Sequence, residues 1–269
     1  AKLPTLNKGV VNSLKRKLSK NGQKKVLLYA GRLSEEKGII ELAEGFKEAR
    51  ATNEDIKLVI CGDNKSNPNI KKTIKEKLGD LVEGVDYTFE GRVTQKRLAD
   101  YYAAADFFIQ PSRYEHFSIS AIEAFSHKKP VIMTKMDSVK KTFKFDTDEH
   151  YVVSIDEINS PESIAKAINN AVTTDQASLE KMTERAFDFY QSSLTPEKVT
   201  AQFEDEYESL IAEKGARTSK THAYIVPTKS DKGLEKTIDS VLAHRKDSEE
   251  VIVSTYDGHK ISSEMKKKY

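Results

Sequence analysis

Cysteine is nearly absent from this chain: Cys61 is the single one among 269 residues. One thiol forms no intramolecular disulfide and supplies no cysteine-cluster zinc site. It follows Leu58-Val59-Ile60 and reads as a buried strand residue. Long apolar runs are lacking too, and none approaches the roughly 18 residues of a membrane-spanning helix. No secretory leader pattern is expected, so a cytoplasmic location is. A short basic amphipathic helix, where Val10, Leu14 and Leu18 recur among Lys15, Arg16 and Lys17, is expected to pack on the domain, with peripheral attachment to a membrane as the alternative. An excess of one charge is missing: 44 basic against 42 acidic residues leave +2. That balance gives no strong field for a nucleic acid, and no nucleic-acid partner is expected. There is no Gly-x-Gly-x-x-Gly and no Gly-Lys-Ser or Gly-Lys-Thr, which excludes a fingerprinted dinucleotide oxidoreductase and a P-loop. His116 and His127 have no carboxylate or cysteine company at ligand spacing, and Asp146 and Asp148 read as a loop, so no metal is expected. The chain opens on Ala1-Lys2-Leu3-Pro4 rather than Met, and a piece of a longer protein is expected.

What the chain does have is an alternation of short apolar runs and helical periods. Strands are expected at 26–30, 57–61, 87–89, 107–110, 131–134 and 151–155, with helices at 39–50, 70–78, 95–104 and 118–126 between them. Continuous apolar strands between helices imply a parallel sheet covered on both faces, and right-handed crossovers make it a doubly wound, Rossmann-like α/β domain. Three helices follow at 161–172, 177–191 and 196–214, the first capped by Ser160 with Pro161 behind it and the last stopped by Gly215. A polar linker at 216–221 precedes a second alternation: strand 222–226, helix 233–243 and strand 250–255. The expected organisation is a domain over 1–216 and a partial β-α-β unit over 217–269.

Three turns carry candidate chemistry, each at the carboxyl end of a strand, where ligands sit in open α/β sheets. In Gly31-Arg32-Leu33-Ser34-Glu35-Glu36-Lys37-Gly38 a forked cation and a point cation flank a strand-to-helix turn, a combination suited to a diphosphate. Glu90-Gly91-Arg92-Val93 offers backbone groups that could read the edge of a base. The run Pro111 to Ala124 carries two carboxylates, Glu115 in the loop and Glu123 about a turn and a half into the helix. Glu123 is set among Ile119, Ala121, Ile122, Ala124 and Phe125, and a carboxylate so placed wants donors such as ribose hydroxyls. The helix start between the two glutamates faces phosphates favourably.

This ordered set of turns resembles the C-terminal, donor-binding lobe of retaining GT-B glycosyltransferases of family 4, over about 25–215. The resemblance implies that Arg32 and Lys37 bind the donor diphosphate beside Gly31, and that Glu123 holds the ribose. It implies that Glu115 contacts the donor sugar and steadies its anomeric centre, and that the amides of Phe117, Ser118 and Ile119 meet the phosphates or the sugar. Arg92 and Val93 would face the base. The implied donor is a nucleotide sugar, UDP-hexose by default, used as substrate with no cofactor. The acceptor would be a glycan, a glycoprotein or a lipid-linked molecule. Two departures stand out. His116 and Ser118 occupy positions that are often glycine in the family, and Lys135-Met136-Asp137-Ser138-Val139 replaces a glycine-rich segment. The N-terminal acceptor lobe is missing, so a partner lobe or partner transferase is implied, and a non-catalytic binding or scaffolding module is the alternative. The last fifty residues or so, through Tyr224-Ile225-Val226 and Val251-Ile252-Val253, are similar to the opening of a family 2 GT-A glycosyltransferase, with Asp257 as its one early aspartate. That tail is either the start of a second module or a vestigial docking unit.

Overall fold

The structure, a computed structural model, describes residues 6–145, 150–213, 224–225 and 251–252. Six strands form one parallel sheet: β1 (Lys25–Ala30), β2 (Ile56–Cys61), β3 (Tyr87–Gly91), β4 (Phe107–Gln110), β5 (Val131–Thr134) and β6 (Val152–Ile155). Their order is β3-β2-β1-β4-β5-β6, the doubly wound arrangement, which reverses direction between β1 and β4. The helices are α1 (Lys8–Leu18), α2 (Ile39–Thr52), α3 (Ile70–Leu78), α4 (Gln95–Ala104), α5 (Ile119–Ser126), α6 (Asp137–Phe143), α7 (Pro161–Thr173), α8 (Gln176–Phe189) and α9 (Pro196–Glu213).

Strand side chains alternate between two cores, as the pleat requires. Leu27, Tyr29, Leu58, Ile60, Phe107 and Ile109 face one layer, with Phe46 of α2, Ile74 of α3 and Ile168 of α7. Val26, Leu28, Val59, Cys61, Phe108 and Met133 face the other, with Leu14 of α1, Tyr102 of α4 and Phe125 of α5. Side-chain caps at helix starts include the expected one at Ser160 and one at Asn7 that the sequence reading did not single out. Asn7 accepts from the amides of Gly9 and Val10, and Ser160 from Ser163 with Pro161 at the first position of α7.

Four differences from the sequence reading have physical causes. α6 arises where no helix was expected: Val139 and Phe143, four residues apart, are both buried and give the short segment an apolar face. β3 runs on through Gly91, past the expected end at Phe89, because Ile60 and Cys61 bridge it through an irregular register. α8 ends at Phe189, short of the expected 191, and the chain continues as a π turn, Tyr190–Leu194, with Tyr190 buried. Ser118 stands outside α5 as its N-cap.

At the amino-terminal edge of the sheet, Asp86 Oδ1 accepts from Lys24 Nζ at 3.0 Å and from Arg50 at 2.9 Å, and its Oδ2 accepts from the Val82 amide at 3.0 Å. Burial disfavours the ionised carboxyl, but the Val82, Lys24 and Arg50 hydrogen bonds outweigh it and bring the pKa down to about 2. At the other edge, two glycines fix the loops. A Cβ on Gly38 (φ +65°) would fall 1.8 Å from the Pro111 carbonyl oxygen, and one on Gly62 (φ +158°) 1.9 Å from that of Gly31.

By contacts the chain divides into two compact units, Ala1–Ala201 and Gln202–Tyr269. The second contains β7 (Tyr224–Ile225) and β8 (Val251–Ile252), which pair in parallel. The expected helix at 233–243, the linker, Gly215 and Asp257 lie outside the described residues.

Candidate functional site

The switch between β1 and β4 opens a crevice at the carboxyl ends of the strands. The loop after β1 is held from several sides. The Gly31 amide donates to the Cys61 carbonyl at 3.0 Å, and Tyr29 Oη donates to the Arg32 carbonyl at 2.7 Å. The Arg113 amide donates to the Glu36 carbonyl at 2.9 Å, while the Arg113 guanidinium grips Glu41 and lies 3.5 Å from Glu35. So fixed, the loop presents Arg32 to solvent with no side-chain partner among the described residues.

The loop after β4 is built round Gln110, the polar residue that ends the strand and is 4% exposed. Its Nε2 donates to Glu115 Oε2 at 2.6 Å and to Ser112 Oγ at 3.2 Å. Its Oε1 accepts from Ser118 Oγ at 2.5 Å and Ser120 Oγ at 3.0 Å. Lys37 Nζ, from the 3-10 turn Glu35–Lys37, donates to the same Glu115 Oε2 at 2.7 Å. Burial favours the protonated form of Glu115, but the Lys37 hydrogen bond and charge prevail, and the carboxyl is held below its ordinary range. The other oxygen, Oε1, accepts the amides of His116 and Ser118, each at 3.3 Å. Ser118 has φ +54°, the left-handed region that glycine occupies freely.

Glu123 lies on α5. Tyr102 Oη, from buried α4 side chain Tyr102, is 3.2 Å from Glu123 Oε2 and 2.9 Å from the Ser120 carbonyl, and Gln95 Nε2 is 3.4 Å from Glu123 Oε1. Burial pushes the Glu123 carboxyl above its ordinary pKa, although both hydrogen bonds favour the anion. Burial likewise pushes the Tyr102 phenol well above its ordinary range. A cavity of about 360 Å³ opens here, lined by Gly31, Arg32, Arg92, Val93, Tyr102 and Glu123 among others. Cys61 forms part of its wall, with its thiol pushed up to about 12 by burial and so unreactive. A second cavity of about 610 Å³ shares Arg32, Asp63 and Lys65 with it and extends to Tyr114.

The structure therefore gathers Gly31, Arg32, Arg92, Val93 and Glu123 at one cavity. Lys37 and Glu115 form a pair beside Gln110 instead, so Lys37 faces a carboxylate where a free diphosphate cation was expected. The Ser118 amide, expected to face the ligand, is turned to Glu115. Phe117 and Ile119 are exposed, 47% and 68%, and line neither cavity. His116 is exposed and meets Tyr114 Oη at 2.8 Å; His127 packs flat on Tyr102. Three residues escaped the sequence reading. Gln110 is a polar end to the apolar run 107–109, Lys65 follows Gly62-Asp63-Asn64 after β2, and Tyr102 sits inside an apolar helical face. The first two break their local pattern and were findable; Tyr102 reads as ordinary core. Among the described residues no group of three or more His, Cys, Asp or Glu could hold a metal ion, and no helix is long and apolar enough to cross a membrane.

Comparison with known proteins decides the family. The model for glycosyl transferases group 1 matches residues 10–189. The chain belongs to that family. Lipopolysaccharide 1,2-N-acetylglucosaminetransferase of Salmonella typhimurium is 30% identical to this group 1 domain over 206 residues, 75% of the chain and 53% of the relative. The group 1 chain thus spans about half the length of that relative. Among solved structures, the C-terminal domain of a group 1 protein from Francisella tularensis superposes with a TM-score of 0.58 at 19% identity, covering 72% of this chain and 95% of that one. Anabaena HepE, solved with UDP and glucose, gives 0.65 at 16% identity, covering 77% and 54%. Both place the doubly wound sheet among GT-B folds.

Proposed function

We propose that this chain is the donor-binding lobe of a retaining glycosyltransferase of family 4, and that its donor is a nucleotide sugar, a UDP-hexose by preference. The observation that carries the reading is one cavity shared by an unpaired Arg32 and a half-buried Glu123 at the β1/β4 switch. A nucleoside diphosphate spans such a pair: the diphosphate meets Arg32, with Lys65 close by, and the ribose diol donates to Glu123, while Arg92 and Val93 border the base. That HepE was solved with UDP and glucose supports a uridine donor.

The sugar then extends toward Glu115. Cleavage of the bond between the anomeric carbon and the phosphate oxygen puts negative charge on the leaving diphosphate and positive character on the ring. Arg32 and the start of α5 stabilise the first, and the Glu115 carboxylate, ionised at neutral pH, offsets the second. The acceptor hydroxyl attacks on the same face and its proton passes to the leaving phosphate, so no side-chain nucleophile is required. The acceptor, a glycan, glycoprotein or lipid-linked molecule, is bound by a second lobe outside this chain. A binding or scaffolding module that supports a partner transferase is the second reading, favoured by a match to only about half of the relative's length. The parallel pairing of β7 with β8 is what a β-α-β unit requires and fits the family 2 GT-A likeness of the tail, as second module or docking unit.

Titration calorimetry with UDP and GDP sugars tests the donor assignment. Binding is expected to weaken by about 1–3 kcal/mol in Glu123→Ala, the scale of a lost partner to a charged group. No heat with any nucleotide, or an unaffected variant, refutes it. Adding the separate acceptor lobe and measuring turnover separates enzyme from scaffold.

A further inference from the structure

We propose that Gln110 is the positioning residue of this site: its side-chain amide both aims the Glu115 carboxylate and holds Ser118 in a left-handed backbone, so that a loop without glycine at 116 and 118 keeps a binding shape. The claim about aim toward the donor sugar rests on the function proposed above; the backbone claim does not.

A primary amide has two donor hydrogens and two acceptor lone pairs. At Gln110 all four are engaged, by Glu115, Ser112, Ser118 and Ser120. The orientation of the amide follows from chemistry. Only the NH2 end can face a carboxylate oxygen, and only the carbonyl end can take two hydroxyl protons. Gln110 is 4% exposed, Ser112 0% and Ser118 2%, so this network is shielded from water and any unmet group in it is costly. Each contact has a separate consequence. The bond to Glu115 Oε2 shares that oxygen with Lys37 and fixes the carboxylate in place. The bond from Ser118 Oγ anchors a residue at φ +54°, where a side chain otherwise costs about 1–2 kcal/mol. Ser118 is also the N-cap of α5, with its Oγ accepting from the Ala121 amide, so its position sets the start of the helix that bears Glu123. From Ser120 the connection continues: its carbonyl accepts from Tyr102 Oη, which also reaches Glu123. The two carboxylates of the site are thereby joined through Gln110.

The test uses the full 269-residue chain with Gln110→Met, Ser118→Gly and the double variant. Carbon-detected NMR titration of the Glu115 carboxyl needs no ligand. Its pKa is expected to rise in Gln110→Met and to stay raised in the double variant, since glycine at 118 restores nothing to Glu115. Thermal unfolding should show a lower Tm for Gln110→Met and a partial recovery in the double variant, because glycine adopts φ +54° unaided. Should Gln110→Met fail to fold, the double variant is expected to fold; a double variant that also fails overturns the backbone role. In calorimetry with UDP and with UDP-glucose, Gln110→Met should lose more affinity for UDP-glucose than for UDP, the excess being on the order of tenfold, one charge-assisted hydrogen bond's worth. An unmoved Glu115 titration, or equal losses for UDP and UDP-glucose, overturns the positioning role. If the unaltered chain binds neither ligand, the donor assignment falls and the aim toward a donor sugar falls with it, while the titration and the Ser118→Gly rescue still judge the amide.

Discussion

Replacing Asp86 by Asn should remove an acid-sensitive part of the stability without touching the cleft. The carboxyl's pKa falls from 3.8 to about 2 on folding. At about 1.4 kcal/mol per pH unit, that displacement contributes about 2 kcal/mol to stability at neutral pH. The side chain is nearly out of solvent at 10% exposure, so little of this is lost to screening. Because the folded pKa is the lower one, the contribution is complete above pH 4 and disappears as pH falls through 2. Asp86→Asn should therefore be less stable at pH 7 by about 2 kcal/mol, and by up to about 4 kcal/mol if Lys24 and Arg50 are left as uncompensated buried charges. Urea unfolding from pH 2 to 7 reads the result: the gap between the two proteins closes by about 2 kcal/mol on acidification. A gap that stays constant with pH refutes the assignment of the acid sensitivity to Asp86. Nucleotide affinity at pH 7 should be unchanged, since Asp86 lies at the opposite edge of the sheet from the cavity.

Gly38→Ala should cost about 3 kcal/mol or more by chemical unfolding, because a left-handed alanine must also displace the Pro111 carbonyl. Glu123→Gln should raise Tm at pH 7–8 while lowering nucleotide affinity: a carboxyl whose folded pKa is raised weakens the fold as pH rises, and the amide has no charge to desolvate. The same raised pKa makes nucleotide affinity increase with pH until Glu123 is ionised, and calorimetry across pH 4–8 should find this dependence lost in Glu123→Gln. Arg32→Ala should reduce UDP affinity on the order of tenfold and leave uridine binding and stability nearly unchanged, since the guanidinium has no side-chain partner among the described residues to abandon.

Much of the frame was readable in the sequence because each strand is a short, continuous apolar run and each crossover has a helical period. The doubly wound class followed from the parallel connections, while the order β3-β2-β1-β4-β5-β6 is a finding of the structure. α6 escaped because a seven-residue helix with two apolar positions leaves little periodic signal. For the cleft, Arg32, Arg92 and Glu123 were identified by their turns, and the structure places them together. The pairing of Lys37 with Glu115 was not readable, since it joins residues 78 positions apart and depends on how two loops pack. Gln110 was passed over because a polar residue at a strand end usually marks only the start of a loop. Its meaning appears when Ser118 is seen at a positive φ with its hydroxyl donating to that amide.

The near contact of Gly62 with the Gly31 carbonyl has a consequence for engineering. The connections that follow β1 and β2 touch backbone to backbone, so neither can be lengthened or re-registered without dragging the other. If the cavity binds a donor as proposed, altered donor choice has to come from exchanging side chains on this fixed frame, at Lys65 or Arg92 for instance. Grafting a longer loop from a relative at either place would disturb both at once.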